Sequence, residues 1–159
     1  MRLFVTVGSM LPFDRLVRAI DGFVAGRPDV EAFAQIGETR HRPAHMESRK
    51  MMSPAEYRSM FERADVVVSH VGIGTVITAS ELRKPLVMLP RQMELHEVTS
   101  RHQQATARWL SGRPGVHIVE TEAELLAKID EVVGSNGVGD FESDTRAALV
   151  RTVRDFIHS

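Results

Sequence analysis

The sequence has no cysteine, so none of its 159 residues can form a disulfide or supply a thiolate to a metal. Its formal net charge is −1 at pH 7, which gives no global electrostatic reason to expect a nucleic-acid partner. No apolar run approaches the roughly 20 residues that a bilayer-spanning helix needs. The opening stretch MRLFVTVGS is too short and too strand-like for a signal peptide. We therefore expect one globular domain located in the cytoplasm.

Strand-like and helix-like segments alternate along the chain. Most of the strand-like segments are apolar runs, and three of them end at glycine or proline; the segments are RLFVTVG, VEAFAQIG, a short stretch near Glu47 to Met52, DVVVS, KPLVMLP and GVHIV. Between them, apolar residues recur at helical spacing. This alternation predicts an α/β fold with a single Rossmann-like, open, mostly parallel sheet and helices on both faces. Ligands of such sheets bind outside the carboxyl ends of the strands.

Helix starts carry local signals at two places. Ser53 suits an N-cap, Pro54 suits the first helical position, and Glu56 completes a capping box. The sequence TEAE, beginning at Thr121, has the same spacing and predicts a second capping box. A further helix is expected over roughly Gly74 to Arg83, and another over residues 98–111.

The glycine loop Gly72-Ile73-Gly74 follows the valine-rich strand and precedes a helix. Backbone N–H groups at a helix N-terminus bind anions, and glycine lets an anion approach closely, so the loop is a candidate phosphate site. A tight packing turn explains the same residues equally well. A dinucleotide fingerprint fits less well, because Ile77 occupies the third glycine position and the loop lies in the middle of the chain.

The stretch from Ser69 to Ala107 resembles the donor-nucleotide segment of GT-B glycosyltransferases. It is most similar to the donor-binding half of the peptidoglycan GlcNAc-transferase group. It also looks like two kinds of short subunit: that of the dolichol-linked UDP-GlcNAc transferase and those of bacterial exopolysaccharide glycosyltransferases. LFVTVGSMLPFDRLV matches the opening of these short subunits. The exopolysaccharide subunits typically show PRQ and then E-x-x-x-x-H-Q, here Pro90 to Gln92 and Glu97 to Gln103.

The resemblance covers most of residues 1–133 and implies the C-terminal half of a GT-B enzyme. It assigns the loop at Gly8 and Ser9 to the donor phosphates or the acceptor, and the segment from Met51 to Ser53 to the uracil. It assigns the loop from His70 to Thr75 to the pyrophosphate, and the segment from Glu97 to Gln103 to the sugar and phosphates. The nucleotide-sugar-binding residues implied are Gly8, Ser9, Met51, Met52, Ser53, His70, Gly72, Gly74, Thr75, Thr78, Glu97, His102 and Gln103. His70 would stabilise the leaving group, and the catalytic base is expected on a partner.

One position departs from part of the family. The peptidoglycan and dolichol enzymes carry a ribose-binding glutamate six residues after the first glycine, where this chain has Thr78. Threonine there resembles the exopolysaccharide branch, and Glu81 is one helical turn away. We expect no cofactor and no metal, because the spacing of His96, Glu97 and His102 matches no standard ligand motif and GT-B enzymes generally work without a bound metal.

The chain is expected to divide into a nucleotide-sugar-binding domain at 1–133, a Gly-rich linker at 134–141 and a C-terminal helix at 142–159. In the two-subunit relatives the corresponding C-terminal region helps to dock the partner. The residues expected to do so here are Leu149, Val153, Phe156 and Ile157. A basic loop containing Arg40, Arg42, Arg49 and Lys50 is either a solvated, mobile loop or a contact for anionic lipid head groups.

The resemblance implies the donor-binding subunit of a two-component, inverting glycosyltransferase. It would transfer a sugar from a UDP-sugar to a lipid-linked saccharide acceptor in exopolysaccharide synthesis. Its partner would be a membrane-anchored, acceptor-binding subunit that holds it at the inner face of the membrane. Two alternatives remain: an NAD(P)-binding or flavodoxin-like domain, and a non-catalytic module that binds a nucleotide sugar.

Overall fold

A computed structural model describes residues 1–135 and 143–158 of the chain. These residues form six strands and six α-helices. The strands are β1 (Arg2–Thr6), β2 (Glu31–Gln35), β3 (Glu47–Arg49), β4 (Val66–Ser69), β5 (Leu86–Met88) and β6 (Val116–Ile118). The helices are α1 (Asp14–Ala25), α2 (Pro54–Arg63), α3 (Ile73–Leu82), α4 (His102–Leu110), α5 (Glu122–Gly134) and α6 (Ser143–His158).

The strands make one sheet in the order β3-β2-β1-β4-β5-β6, and each neighbouring pair is parallel. The predicted Rossmann-like α/β fold is confirmed, with a fully parallel sheet over the described residues. The strand order reverses between β1 and β4, where Thr6 lies in register with Ser69. A crevice forms at such a switch point, outside the carboxyl ends of the two strands. The fold therefore fixes where a ligand site is expected before any side chain is considered.

Side chains of the central strands alternate between two cores. In β4, Val66 and Val68 belong to the core under α1 and α5, whereas Val67 belongs to the core under α2, α3, α4 and α6. Successive side chains of a strand point to opposite faces, so a continuous apolar run is buried on both. The valine run therefore forms the centre of the sheet, and the glycine loop begins where it ends.

Capping explains how the helix after β3 begins. The Ser53 Oγ accepts from the Glu56 N–H at 3.2 Å, and the Ser53 N–H donates to the Glu56 carboxylate at 2.9 Å. This confirms the first capping box. The second is only half formed: Thr121 Oγ1 accepts from the Glu124 N–H, but the Glu124 carboxylate takes the N–H of Glu120 instead of that of Thr121.

Two element boundaries differ from the expectation. β1 ends at Thr6 rather than at Gly8, whose φ of +79° turns the chain out of the sheet. α4 begins at His102 rather than at residue 98. The preceding residues fold back on themselves because the Gln92 N–H donates to the carboxylate of Glu97 at 2.8 Å.

The basic loop is tied to α1. The N–H groups of Arg40 and His41 donate to Asp14, and those of Ala44 and His45 donate to Asp21. Burial alone would raise the pKa of Asp21, but the hydrogen bonds hold it below its ordinary value. These contacts hold residues 40–45 in place, which argues against a mobile loop there.

The C-terminal helix packs on its own domain at one of the four positions expected to dock a partner. Val153 is 2% exposed and joins the core beside α3, so its side chain is not offered to a partner. The side chains of Leu149, Phe156 and Ile157 lie outside the described part of the structure. Of the predicted linker 134–141, Gly134 closes α5 and Ser135 caps it, and the remaining residues also lie outside the described part.

Candidate functional site

A cleft of about 570 Å³ opens at the switch point of the sheet. Its wall combines the ends of β1, β2 and β4, the start of α3, and residues from the segments after β1 and β5. The lining residues are Thr6, Val7, Gly8, Ser9, Met10, Leu11, Gln35, Tyr57, His70, Gly72, Gly74, Thr75, Thr78, Arg91 and Gln103. The cleft therefore gathers residues that are up to about a hundred positions apart in the sequence.

The imidazole of His70 lies between two glycines. A Cβ built on Gly72 would be 2.6 Å from His70 Nε2, and one built on Gly8 would be 2.8 Å from its Cε1. Real Cβ atoms essentially never approach other heavy atoms this closely. A side chain at either position would therefore force the imidazole to shift, and at Gly8 the positive φ would strain any other residue as well.

His70 is neutral in this setting. Burial, assisted by the positive charge of Arg91, lowers the pKa of His70 to about 4. The Nδ1 atom is buried without a hydrogen-bond partner, whereas Nε2 is not among the buried unpartnered atoms. Nε2 is thus the ring nitrogen that a ligand in the cleft can reach. At neutral pH the ring can offer one N–H donor, but it brings no charge.

The N-terminus of α3 opens on the same cleft. Gly72 is the N-cap, and no side chain caps the first turn. Gly74 has no atom within 4 Å of a built Cβ, so the space above it is open. The first N–H groups of a helix have no intrahelical partner and carry partial positive charge. Uncapped and beside glycines, this helix end is arranged to accept an anion.

A buried arginine supports the loop that faces α3. Arg91 is 2% exposed, and its guanidinium donates to the carbonyls of Val7, Leu11 and Pro12 at 2.7, 2.7 and 3.2 Å. It also stacks on the ring of Phe13, 4.9 Å from the centroid. We call residues 8–12 the first loop. Arg91 fixes the path of this loop along the cleft.

Glu97 does not reach the cleft. Its two carboxylate oxygens accept from Nε and Nη2 of Arg15 at 2.8 and 3.0 Å, and one also accepts from the Gln92 N–H. The side chains of Arg15 and Glu97 are only 13% and 12% exposed. From the sequence, Glu97 was expected to contact the donor sugar. In the structure, both of its carboxylate oxygens instead accept hydrogen bonds from within the protein.

The remaining predicted site residues fall into two groups. The cleft brings together Gly8, Ser9, His70, Gly72, Gly74, Thr75, Thr78 and Gln103. It does not include Met51, Met52, Ser53, Glu97 or His102. Met51 lies at 3.7 Å from Gln35 Nε2 and is 49% exposed, which places it near the cleft. Ser53 caps α2, and His102 is exposed at the start of α4.

Thr78 and Glu81 have separate surroundings. The Thr78 hydroxyl donates to the Gly74 carbonyl at 3.0 Å, as a threonine within a helix often does. Glu81 is exposed on α3 and its carboxylate accepts from Arg58 at 3.5 Å. Glu81 is not part of the cleft wall, so it does not stand in for a glutamate at position 78.

Several cleft residues were missed from the sequence. Thr6 and Gln35 end neighbouring strands, and Tyr57 lies on α2 with its hydroxyl 3.4 Å from Thr75 Oγ1. The rule that ligands bind at the carboxyl ends of parallel strands would have found Thr6 and Gln35. Arg91 was noticed as part of the PRQ motif, but the sequence gave no sign of its direction.

Two further searches cover only residues 1–135 and 143–158. No three His, Cys, Asp or Glu side chains there lie close enough together to hold a metal ion. Within the same ranges, every helix is too short or too polar to cross a membrane.

A family model accounts for nearly the whole chain. Residues 2–157 match the model described as the glycosyltransferase family 28 C-terminal domain. No curated protein sequence matches the chain.

Several solved structures share this fold. The glycotransferase of kitacinnamycin superposes with a TM-score of 0.71 at 21% identity, over 99% of this chain and 42% of that one. The solution structure of ALG13 superposes with a TM-score of 0.66 at 19% identity, over 99% of this chain and 97% of ALG13. MurG from Acinetobacter baumannii superposes with a TM-score of 0.63 at 16% identity, over 98% of this chain and 49% of MurG. This chain thus spans less than half of the kitacinnamycin enzyme and of MurG, and likeness at these identities shows the fold alone.

Proposed function

This chain belongs to the glycosyltransferase family 28 C-terminal domain family, and from that premise we propose that it is the donor-binding subunit of a two-component, inverting glycosyltransferase. The donor is a UDP-sugar, and the acceptor is a lipid-linked saccharide presented by a membrane-anchored partner subunit. The product belongs to exopolysaccharide synthesis. The chain itself works at the inner face of the membrane, where the partner holds it.

The observation that carries this proposal is the arrangement of His70 at the uncapped start of α3. The imidazole lies between Gly8 and Gly72, and the open space above Gly74 continues the same cleft. A packing turn alone would not need a cleft of about 570 Å³ at the uncapped start of α3. These features favour a diphosphate, which takes backbone N–H groups at a helix N-terminus as partners.

The chemistry follows from where charge develops. As the bond between the sugar and the diphosphate breaks, negative charge builds on the departing phosphate oxygen. The N–H groups of the first turn of α3 and the N–H of neutral His70 would stabilise it, and they need no reorganisation to do so. The acceptor oxygen attacks the anomeric carbon from the opposite side, and a base takes its proton. No residue in the cleft is placed as that base, so we assign it to the partner.

The lengths of the related proteins support the two-component form, and one residue supports the exopolysaccharide branch of the family. ALG13 is covered over 97% of its length, so a chain of nearly this extent exists with the same fold. MurG and the kitacinnamycin enzyme contain this fold as under half of their length. Thr78 at the position of the ribose-binding glutamate resembles the exopolysaccharide subunits. Leu149, Phe156 and Ile157 of α6 remain the residues proposed to dock the partner.

Ligand-dependent thermal shifts test donor binding first. A ligand that binds only the folded state raises the melting temperature, and the shift grows with the logarithm of the ligand concentration once this exceeds the Kd. UDP at millimolar concentration should raise it, and NADH should not. The absence of a UDP shift would overturn donor binding, and a larger shift with NADH would favour a dinucleotide-binding domain instead.

Reconstitution tests the two-component form. The chain should be co-expressed with a membrane-anchored candidate partner, and sugar transfer to lipid should be followed in membranes with radiolabelled UDP-sugars. Activity is expected only when both proteins are present, and His70→Gln should abolish it. Transfer by the chain alone would contradict the two-component form. UDP binding without transfer in any pairing would favour a non-catalytic nucleotide-sugar-binding module.

A further inference from the structure

Arg91 is a buried charge without an acidic partner. Its guanidinium is bonded by three carbonyl oxygens and stacked on Phe13, but among the described residues no carboxylate pairs with it. Glu97 is the acidic residue whose charge acts on Arg91, and its carboxylate is held by Arg15. A buried charge that is not paired is costly, and carbonyl dipoles offset only part of that cost. Burial accordingly lowers the pKa of Arg91 to about 10.

One end of the guanidinium is free. Nε and Nη2 make all three hydrogen bonds to carbonyls, which leaves Nη1 without a partner in the described residues. Nη1 is also not among the buried unpartnered atoms, so it keeps contact with solvent. Arg91 is also part of the cleft wall. A ligand in the cleft would therefore lie beside a buried guanidinium whose Nη1 donors are not used by the described residues.

Among the residues that the structure describes, the rest of the cleft wall carries no permanent charge. Apart from Arg91, the wall contains glycines, apolar residues, hydroxyl and amide side chains, and His70. His70 is neutral, because burial and the charge of Arg91 lower its pKa to about 4. A diphosphate entering this cleft would thus meet a single full positive charge.

We propose that Arg91 binds the diphosphate of the donor through Nη1, so that the ligand supplies the counter-ion that the protein lacks. This inference rests on the proposed function and adds a charged residue that the phosphate site otherwise does not have. The two residues then act differently on the diphosphate: His70 donates an uncharged hydrogen bond, and Arg91 supplies positive charge. Because Arg91 also holds the carbonyls of Val7, Leu11 and Pro12, anion binding and the position of the first loop are coupled.

Calorimetric titration with uridine, UMP and UDP separates the charge of Arg91 from its support of the loop. Arg91→Met removes the charge and keeps an apolar stem of similar length. This variant should keep its affinity for uridine and lose on the order of 10- to 100-fold for UDP, the range for a hydrogen bond to a charged group. Arg27→Met removes a positive charge that pairs with Asp29 and Asp130 away from the cleft, and it should bind all three ligands as the parent does.

Two outcomes of this titration overturn the inference. If Arg91→Met binds UDP as tightly as the parent, Arg91 does not contact the diphosphate. If it weakens uridine and UDP by the same factor, Arg91 only positions the first loop.

If Arg91→Met does not fold, titration of the unaltered protein tests whether the cleft holds an anion site at all. Its affinity should rise from uridine to UMP to UDP, and inorganic pyrophosphate should compete with UDP. Equal affinity for uridine and UDP would overturn the anion site while leaving nucleotide binding intact. Failure to bind any of the three ligands would overturn the proposed function as well, so the two failures are distinguishable.

Discussion

Residues 69–75, which contain the glycine loop, and the segment from Pro90 to Gln103 both carry the family resemblance. Their side chains nevertheless have different partners in the structure. The glycine loop turns His70, Gly72, Gly74 and Thr75 toward the cleft. In the second segment, by contrast, Glu97 is held by Arg15, and most of the Arg91 guanidinium holds the first loop.

The difference teaches that a motif gives a residue's place in the chain but not its partners. At the glycine loop, backbone groups and the absence of side chains make the site, so a local pattern is sufficient. Along residues 90–103, long charged side chains reach partners about 80 positions away. Which polar group stays free for a ligand is decided by those distant partners.

The largest effect is expected in the glycine loop itself. Gly72→Ala would place a Cβ 2.6 Å from His70 Nε2, in a ring already confined by Gly8. Such overpacking should lower the free energy of unfolding by about 3 kcal/mol, measured by urea denaturation. Gly74→Ala is the matched control, because no atom lies within 4 Å of its Cβ and alanine favours the helix by up to about 1 kcal/mol. Equal losses in the two variants would contradict the placement of His70.

The second effect concerns pH. The folded-state pKa of His70, about 4, is below its ordinary value of 6.5, so the unfolded chain binds the proton more tightly. The stability that neutral His70 contributes is complete above pH 6.5 and is lost as pH falls toward 4. At about 1.4 kcal/mol per pKa unit, the loss should approach roughly 3 kcal/mol.

Urea denaturation of the parent and of His70→Gln across this pH range checks that effect. The difference between the two proteins should shrink at low pH, because glutamine does not titrate. Parallel pH profiles for the parent and His70→Gln would show that the imidazole is not buried as described.

The third effect sharpens the contrast between the two segments. Glu97→Gln should lower the free energy of unfolding by about 2 kcal/mol, because Arg15 loses the charge of a largely buried partner. UDP-sugar affinity should change little. Glu94→Gln is the control, since Glu94 is exposed and its pair with Arg101 is long at 3.5 Å. If Glu97→Gln kept its stability but lost affinity for the UDP-sugar, Glu97 would have to be a residue of the donor site.

Much of the fold followed from local signals. The alternation of β-branched runs with helical periods predicts a parallel sheet, and the Ser53 to Glu56 capping box needs only four consecutive residues. Boundaries were less accurate where distant contacts compete with local preference. α4 starts later than expected, and Glu97, which precedes it, is in an internal ion pair with Arg15 that no helical period encodes.

The candidate site was found in part for the same reason. Gly72, Gly74 and Thr75 stand together in the sequence and together in the cleft. Thr6, Gln35 and Tyr57 join them only because β1, β2 and α2 meet there, which depends on strand order. Single-chain patterns do not specify that order. The rule for parallel strands still points to Thr6 and Gln35, whereas Tyr57 became visible only in three dimensions.

The central claim is that UDP binds in the cleft at the start of α3, and an amide-resolved NMR titration of the chain with UDP tests it most directly. Saturable shifts are expected at Gly8, at Ile73 to Thr75 and at Gln103, with His70 side-chain signals moving at the same ligand concentration. The amides of Glu47 and Ser48 in β3, at the far edge of the sheet, should stay in place. No saturable shifts at millimolar UDP, or shifts confined to residues outside the cleft, would contradict the account.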